Sequence, residues 1–311
     1  MDHNNEFVSV IIPTHNRSDC VLRAIQSVLA QTHKNLECIV VSDGSVDNTD
    51  DVVNKIAAKD ERVKYISYAP AKGGNHARNI GIKNAKHDYI AFLDDDDLWY
   101  PDKLTKQLSV FASNPEIGLV CTGLRKIYVD ENTTSLHRFN IPDPDMSKLI
   151  LISNYIGTTT TVMTKAKIIE KAGGFDENLS AQQDYDLWIR ICQITKVSAV
   201  NDICVDYYIF ENNNQISKNL NKVVESSKKI NKKYEHLIDK LSSKEKKLRG
   251  YTQSINIAIR GLRNADPKHT RKYAAKAFKK MKKINAVKIY LISFFPYKII
   301  FYIKNKLFKK K

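Results

Sequence analysis

The stretch Phe7-Val8-Ser9-Val10-Ile11-Ile12-Pro13-Thr14-His15-Asn16-Arg17 runs from an apolar segment straight into a polar loop. An apolar run of this length, stopped by proline, predicts a strand over 7–12 that is buried on both faces. Residues 19–29 follow, with Val21, Leu22, Ile25, Val28 and Leu29 at helical spacing. The alternation then repeats. Residues 36–41 read as a second buried strand, 63–68 and 89–93 as further strands, and 48–59 and 74–85 as helices. Strand and helix in alternation predict βαβ units, hence an α/β, Rossmann-like, mostly parallel sheet flanked by helices. From 118 to 210 the pattern is mixed, with strands expected at 117–122 and 160–164 and helices at 165–172 and 184–195.

In open parallel sheets ligands bind beyond the carboxyl ends of the strands. Three such ends carry polar loops here: Pro13 to Arg17, Ser42-Asp43-Gly44-Ser45, and Asp94-Asp95-Asp96-Asp97. Four consecutive carboxylates repel one another, and a divalent cation relieves that repulsion. Hard oxygen ligands with room for phosphates suit Mg2+ or Mn2+. Strand-like alternation would send Asp94 and Asp96 one way and Asp95 and Asp97 the other. The plainer reading is a solvated acidic turn before a helix beginning near Pro101.

At this point the residues resemble glycosyltransferase family 2. Ser9 to Arg17 resembles its opening strand, 40–47 its second signature, Gly73-Gly74-Asn75-His76-Ala77-Arg78-Asn79 its third, and 90–97 its DxD region. Gly173-Gly174-Phe175-Asp176-Glu177, followed by Asp184-Tyr185-Asp186-Leu187-Trp188, resembles the segment bearing the catalytic base. Five motifs in order cover roughly 7–212. The resemblance implies a nucleotide-binding GT-A fold. It implies that Pro13, Thr14, Arg17, Asp43, Arg78, Asp94 and Asp95 serve the nucleotide-sugar, with Asp43 on uracil, Arg78 on base or phosphate and Asp94 on ribose. Asp96 would be the metal ligand for Mg2+ or Mn2+, and Asp184 the base of an inverting single displacement. Asp43 alone would read as an Asp-Gly turn, Arg78 as solvated, and Asp184 as a helix cap. Trp99 suits sugar stacking or the core about equally. Many relatives carry a histidine where this chain has Phe210, so no third metal ligand is assigned.

The charge completes the picture. The 311 residues carry a formal net +16, which taken whole points to polyanions. Residues 1–214 hold 22 Lys and Arg against 29 Asp and Glu, a net of −7, and 215–311 hold 28 against 5, a net of +23. The acidic body argues against a nucleic-acid-binding protein, and the intact aspartates argue against an inactive scaffold. The chain therefore divides into a catalytic domain over 1–215 and a basic helical region over 216–311. Within the latter, 217–247 and 266–283 read as charged helices. Residues 285–311 are aromatic and flanked by lysines; their apolar stretch, 289–303, is 15 residues broken by Pro296 and Lys298, too short for a span, and suits a helix lying on an anionic membrane. Five cysteines without CxxC spacing, and a polar start at 1–6, fit a reducing, cytoplasmic setting. The expected protein is peripheral on the inner face of the cell membrane, takes a UDP-linked donor and a glycan or lipid-linked glycan acceptor, and does not bind nucleic acid.

Overall fold

The computed structural model describes residues 6–210 and 219–296. The chain forms two compact units. The first comprises Met1–Ile150, Asn154–Asn178 and Gln183–Asn213, and the second Leu151–Ser153, Leu179–Gln182 and Asn214–Lys311.

The first unit opens with β1 (Val8–Thr14), α1 (Ser18–Leu29), β2 (Leu36–Asp43), α2 (Thr49–Ala57), β3 (Val63–Tyr68), α3 (Gly74–Asn84) and β4 (Tyr89–Phe92). Every residue of β1 and β2 is buried, which is why both read as unbroken apolar runs rather than alternating ones. β1 lies between β2 and β4, parallel to both, with Val8 opposite Leu36 and Ile11 opposite Phe92. β3 adds in parallel to β2. Helix α3 packs Ala77 on Ile39 and Val41. It approaches β1 so closely that a Cβ at Gly81 would stand 2.4 Å from Ile11, so glycine is required there.

The rest of this unit is β5 (Leu98–Trp99), α4 (Lys103–Ser113), β6 (Ile117–Tyr128), β7 (Thr133–His137), α5 (Leu149–Ile152, whose last two residues fall in the second unit), β8 (Val162–Lys165), α6 (Ala166–Ala172), α7 (Gln183–Cys192) and β9 (Lys196–Ile209). The sheet order is β3-β2-β1-β4-β8-β6-β9-β5, with β7 on β6. β8 runs antiparallel to β4 and β6, whereas β9 runs parallel to β6, so the sheet is mixed beyond β4.

The second unit carries α8 (Leu220–Lys233), α9 (Glu235–Ile238), α10 (Ser243–Arg263), α11 (Pro267–Lys280) and α12 (Ile284–Ile292). Helix starts are well capped: Asn219 accepts from Lys222 N–H, Ser242 and Glu245 form a reciprocal capping box, and Asp266 caps α11 ahead of Pro267. Its core is small, built on Val223, Ile257, Ala258, Tyr273 and Ala274, with Tyr251, Ile255, Ala277 and Ala286 beside it. Among the described residues no helix is long and apolar enough to cross a membrane. Residues 297–311 of the expected membrane segment, and 211–218, lie outside the described residues.

Candidate active site

The carboxyl ends of β1, β2 and β4 are joined by side chains from the loops that follow them. His15 Nδ1 bonds the Asp43 carbonyl oxygen at 2.5 Å. Asn16, at a left-handed φ of 52°, accepts from Val46 N–H at 2.7 Å and donates its own N–H to Ser45 Oγ at 3.0 Å. Pro13 is buried opposite Val41 in the β1–β2 ladder.

Asp43 is buried, and both of its oxygens are engaged. Oδ1 accepts from the Tyr68 hydroxyl at 2.9 Å and from Lys72 N–H at 2.6 Å, and Oδ2 accepts from Gly73 N–H at 2.7 Å. It thus fixes the loop entering α3. Burial and the Asp43 carboxylate together hold the Tyr68 hydroxyl well above its usual pKa. Gly44 sits at φ 65°, and a Cβ there would lie 2.6 Å from Ala71 N, so the two loops can close only on glycine.

The acidic run is a turn, closed by Asp97 N–H donating to the Asp94 carbonyl at 3.0 Å. The backbone is no longer a strand, yet exposure still alternates. Asp95 and Asp97 are buried, and Asp94 and Asp96 are part-exposed. The chain itself supplies cations against the repulsion. Arg17 Nη1 lies 2.9 Å from Asp95 and 3.0 Å from Asp96, and Arg78 Nη2 lies 2.6 Å from Asp94. Thr14 donates to Asp95 at 2.8 Å, and Thr159 donates to Asp94 at 3.2 Å. Burial lifts the Asp95 carboxyl to about 6, with Arg17 opposing and the Asp96 charge adding to the rise. Asp97 is raised well above the carboxylate range by complete burial and by the charges of Asp96 and Asp94. Its Oδ1 accepts from Tyr208 N–H at 3.1 Å, while Oδ2 is buried without a hydrogen-bond partner.

Arg78 is the least satisfied group at this rim. Its guanidinium is buried, lies 5.5 Å over the Phe175 ring, and leaves Nε and Nη1 without hydrogen-bond partners. Phe175 in turn meets Phe92 edge-on at 5.4 Å. Helix α3 grips the 173–177 loop. Asn79 donates to the Phe175 carbonyl at 2.9 Å and to Glu177 at 2.8 Å, and accepts from Phe175 N–H at 2.8 Å; Asn75 donates to the Asp176 carbonyl at 3.0 Å; His76 pairs with Glu177 at 2.9 Å.

Asp184 stands on another element, in the first turn of α7, where Oδ1 accepts from Tyr185 N–H at 2.7 Å. The helix that mounts it is firmly anchored. The Tyr185 hydroxyl donates to the Ile150 carbonyl at 2.8 Å, Trp188 Nε1 donates to the Gly157 carbonyl at 2.9 Å, and the fully buried Asp186 pairs with Arg190 at 2.8 Å. Trp99 belongs to the core rather than to a sugar platform. It is 4% exposed, donates to the Thr160 carbonyl, and has Lys103 Nζ 3.8 Å over its ring. Phe210 stacks with Tyr208 at 6.3 Å. Sequence reasoning missed Tyr68 and the Asn79–Glu177 clamp, although both clamp residues stand in motifs quoted above, and it placed Thr158–Thr161 on the acceptor side, whereas Thr159 bonds Asp94.

The donor set fits a hard divalent cation. Part-exposed carboxylate oxygens of Asp94 and Asp96 share one rim, and the ion binding such a rim ordinarily completes its shell with water and substrate phosphate. Among the described residues no group of three or more His, Cys, Asp or Glu is arranged to hold an ion unaided.

Residues 9–173 match the family model described as glycosyl transferase family 2. An uncharacterized glycosyltransferase of Rickettsia conorii is 36% identical over 204 residues, which are 64% of this chain and 32% of that protein. The chain therefore spans about a third of that relative's length. The Escherichia coli protein named UDP-Glc:alpha-D-GlcNAc-diphosphoundecaprenol beta-1,3-glucosyltransferase WfaP is 30% identical over 214 residues, covering 69% of this chain and 81% of that one. The structure of a mannosyltransferase from Pyrobaculum calidifontis in complex with GDP-Man and Mn2+ superposes with a TM-score of 0.59, at 18% identity over 98% of this chain and 88% of the other. At that identity the likeness speaks for the fold alone.

Proposed function

The chain belongs to glycosyl transferase family 2, and from that premise we propose that it transfers a hexose or N-acetylhexosamine from a UDP-sugar to a hydroxyl of a lipid-linked glycan, with inversion, in the synthesis of a bacterial surface polysaccharide. The observation that carries this reading is Arg78. It is a buried cation whose Nη2 holds part-exposed Asp94 at the rim, while Nε and Nη1 are enclosed and unpartnered; a shift of the side chain would bring these donors to a bound diphosphate.

In this reading residues 1–215 are the catalytic domain. Asp43 and the 72–73 backbone it fixes frame the uracil, and Pro13 and Thr14 form the pocket wall. Asp94, held by Arg78 and Thr159, faces the ribose. Arg17 holds Asp95 and Asp96 at fixed positions. Asp96 is the carboxylate that would hold Mg2+ or Mn2+, which when bound supplies positive charge to the diphosphate. The acceptor hydroxyl attacks C1 from the face opposite the nucleotide. Its oxygen bonds to C1 as the bond from C1 to the diphosphate oxygen breaks, and Asp184 takes the hydroxyl proton. UDP leaves with the bonding pair, its growing charge met by Arg78 N–H groups. The rigid mounting of α7 suits Asp184 to this role, since a base must hold its position to within a fraction of an ångström.

The donor nucleotide and lipid-linked acceptor accord with the name of the E. coli relative. A lipid-linked acceptor would put the enzyme at the cytoplasmic face of the cell membrane as a peripheral protein. Asp184→Asn tests the assignment: transfer should fall by about 10²–10⁴-fold with UDP binding retained, and unimpaired transfer would remove Asp184 from the mechanism.

A further inference from the structure

Helix α12 has two unlike faces. Ala286, Ile289 and Ser293 turn inward, toward Tyr251, Ile255 and Ala277 of α10 and α11. Arg271 of α11 clasps the end of the helix, lying 3.9 Å over the Phe294 ring and donating to Ser293 Oγ at 3.2 Å. The other face carries Ile284 and Leu291, which are 67% and 58% exposed, and the turn after the helix adds Phe294 and Phe295 at 58% and 62%. A step of seven residues puts 284 and 291 on one stripe of the helix, and Phe294 and Phe295 follow in the turn that closes it, donating their N–H groups to the Leu291 and Ile292 carbonyls. Seven of the nine residues of α12 are apolar, a composition ordinarily found in a core, yet Ile284 and Leu291 face outward beside Asn285 and Lys288.

The surroundings say what covers it. After Asp266 the sequence contains no acidic residue, while 15 lysines and arginines follow. Lys279, Lys280, Lys282, Lys283 and Lys288 are all exposed. A nucleic acid would match the charge but not an aliphatic stripe of Ile284 and Leu291, and a core-like protein partner would match the stripe but not lysines in such number. An anionic bilayer surface matches both, with apolar side chains entering the acyl boundary and lysines meeting headgroups. Nine residues, about 14 Å of helix, are far too short to span. The sequence at 297–311 continues the same pairing of aromatic and lysine residues.

We propose that the outward face of α12 and the turn that closes it, carrying Ile284, Leu291, Phe294 and Phe295 and rimmed by Lys282, Lys283 and Lys288, form an interfacial docking surface for anionic phospholipid. The proposal rests on the lipid-linked reading only for which membrane the protein meets. The surface itself needs neither donor nor acceptor.

The full chain is mixed with vesicles of phosphatidylcholine alone or with 30% phosphatidylglycerol and sedimented, without donor, acceptor or metal. Wild type should co-sediment with the anionic vesicles only. Leu291→Glu/Phe295→Glu should weaken binding by about tenfold or more at any salt. Lys282→Gln/Lys283→Gln should weaken it severalfold per charge at low salt and less at high salt. In an otherwise native chain, Phe295→Trp should shift its fluorescence to the blue on anionic vesicles alone, a readout that stands even if the glutamate variant fails to fold. Vesicle binding by Leu291→Glu/Phe295→Glu equal to wild type, or fluorescence of the Phe295→Trp chain indifferent to lipid, overturns the proposal. So does a wild-type dimer that the glutamate variant turns to monomer, which would give the face to a second copy. Equal loss of binding to a single-stranded RNA would give it to nucleic acid. Because the assay contains no substrate, failed transfer by the same protein bears on the catalytic reading alone.

Discussion

Replacing Arg78 by methionine separates the stability of the site from its function. The substitution removes the bond to Asp94 at 2.6 Å, a charged hydrogen bond contributing about 1.5–3 kcal/mol. It also removes a guanidinium 5.5 Å over Phe175, about 1 kcal/mol. Against this, two buried nitrogens without partners disappear, each unfavourable by about 1–3 kcal/mol. Asp94 keeps Thr159 as a donor. The terms oppose each other, so unfolding free energy should fall by no more than about 2 kcal/mol and rise by no more than about 3.5 kcal/mol. Donor binding should change more. Two charge-assisted bonds to a diphosphate contribute about 3–6 kcal/mol, or about 10²–10⁴ in Kd. UDP titration calorimetry and thermal unfolding, each on wild type and Arg78→Met, read both quantities. A Kd for UDP within about threefold of wild type would refute the view that the unpartnered nitrogens await the diphosphate.

Lys103→Met tests a second buried cation. Complete burial lowers the Lys103 pKa from 10.5 to about 7. Below pH 7 its penalty is therefore fully present, and it fades as pH rises toward 10.5. Relative to Lys103→Met, wild type should gain about 2 kcal/mol in denaturant-measured stability between pH 7 and 9; a constant difference would contradict burial as the cause. Asp43→Asn keeps shape but turns one acceptor of the Lys72 and Gly73 N–H groups into a donor. It should weaken UDP binding by about tenfold or more, and unchanged UDP affinity would show that the loop holds without the carboxylate. Glu177→Ala breaks the links to His76 and Asn79. Transfer should fall with UDP affinity retained if the clamp positions the α7 segment, and parallel loss of both would assign it to the donor side instead.

The half of the fold that could be read from sequence is built around strands buried on both faces, with part-exposed β3 at its edge. β1 and β2 hide every residue, so hydrophobicity alone marks them. β9 could not be read this way. Its 14 residues pass through exposed Asn201 and Asp202, and its pairing with β6 shifts register near Gly123, so no single period survives. β7 is short and largely exposed. At the site, the carboxylate run declared itself by its charge, but what answers that charge did not. Arg17 and Arg78 reach Asp95, Asp96 and Asp94 from 78, 79 and 16 positions away, distances over which sequence carries no pairing signal. Lys103 was legible in principle, since the spacing of Leu104, Gln107, Leu108 and Phe111 puts it on the inner face of α4. Trp99 divided evenly between core and platform because an aromatic beside a loop serves either, and the bond to the Thr160 carbonyl with Lys103 over the ring decides for the core.

The most direct test of the central claim is release of UDP by the full chain from UDP-glucose, UDP-galactose, UDP-GlcNAc and UDP-GalNAc, with a diphosphoundecaprenol-linked sugar as acceptor, in Mn2+ or in EDTA. Acceptor-dependent release from one of these donors, abolished by EDTA and by Asp184→Asn, is the expected result. Absence of release from all four donors with Mn2+ present, or release that EDTA and Asp184→Asn leave untouched, would contradict it.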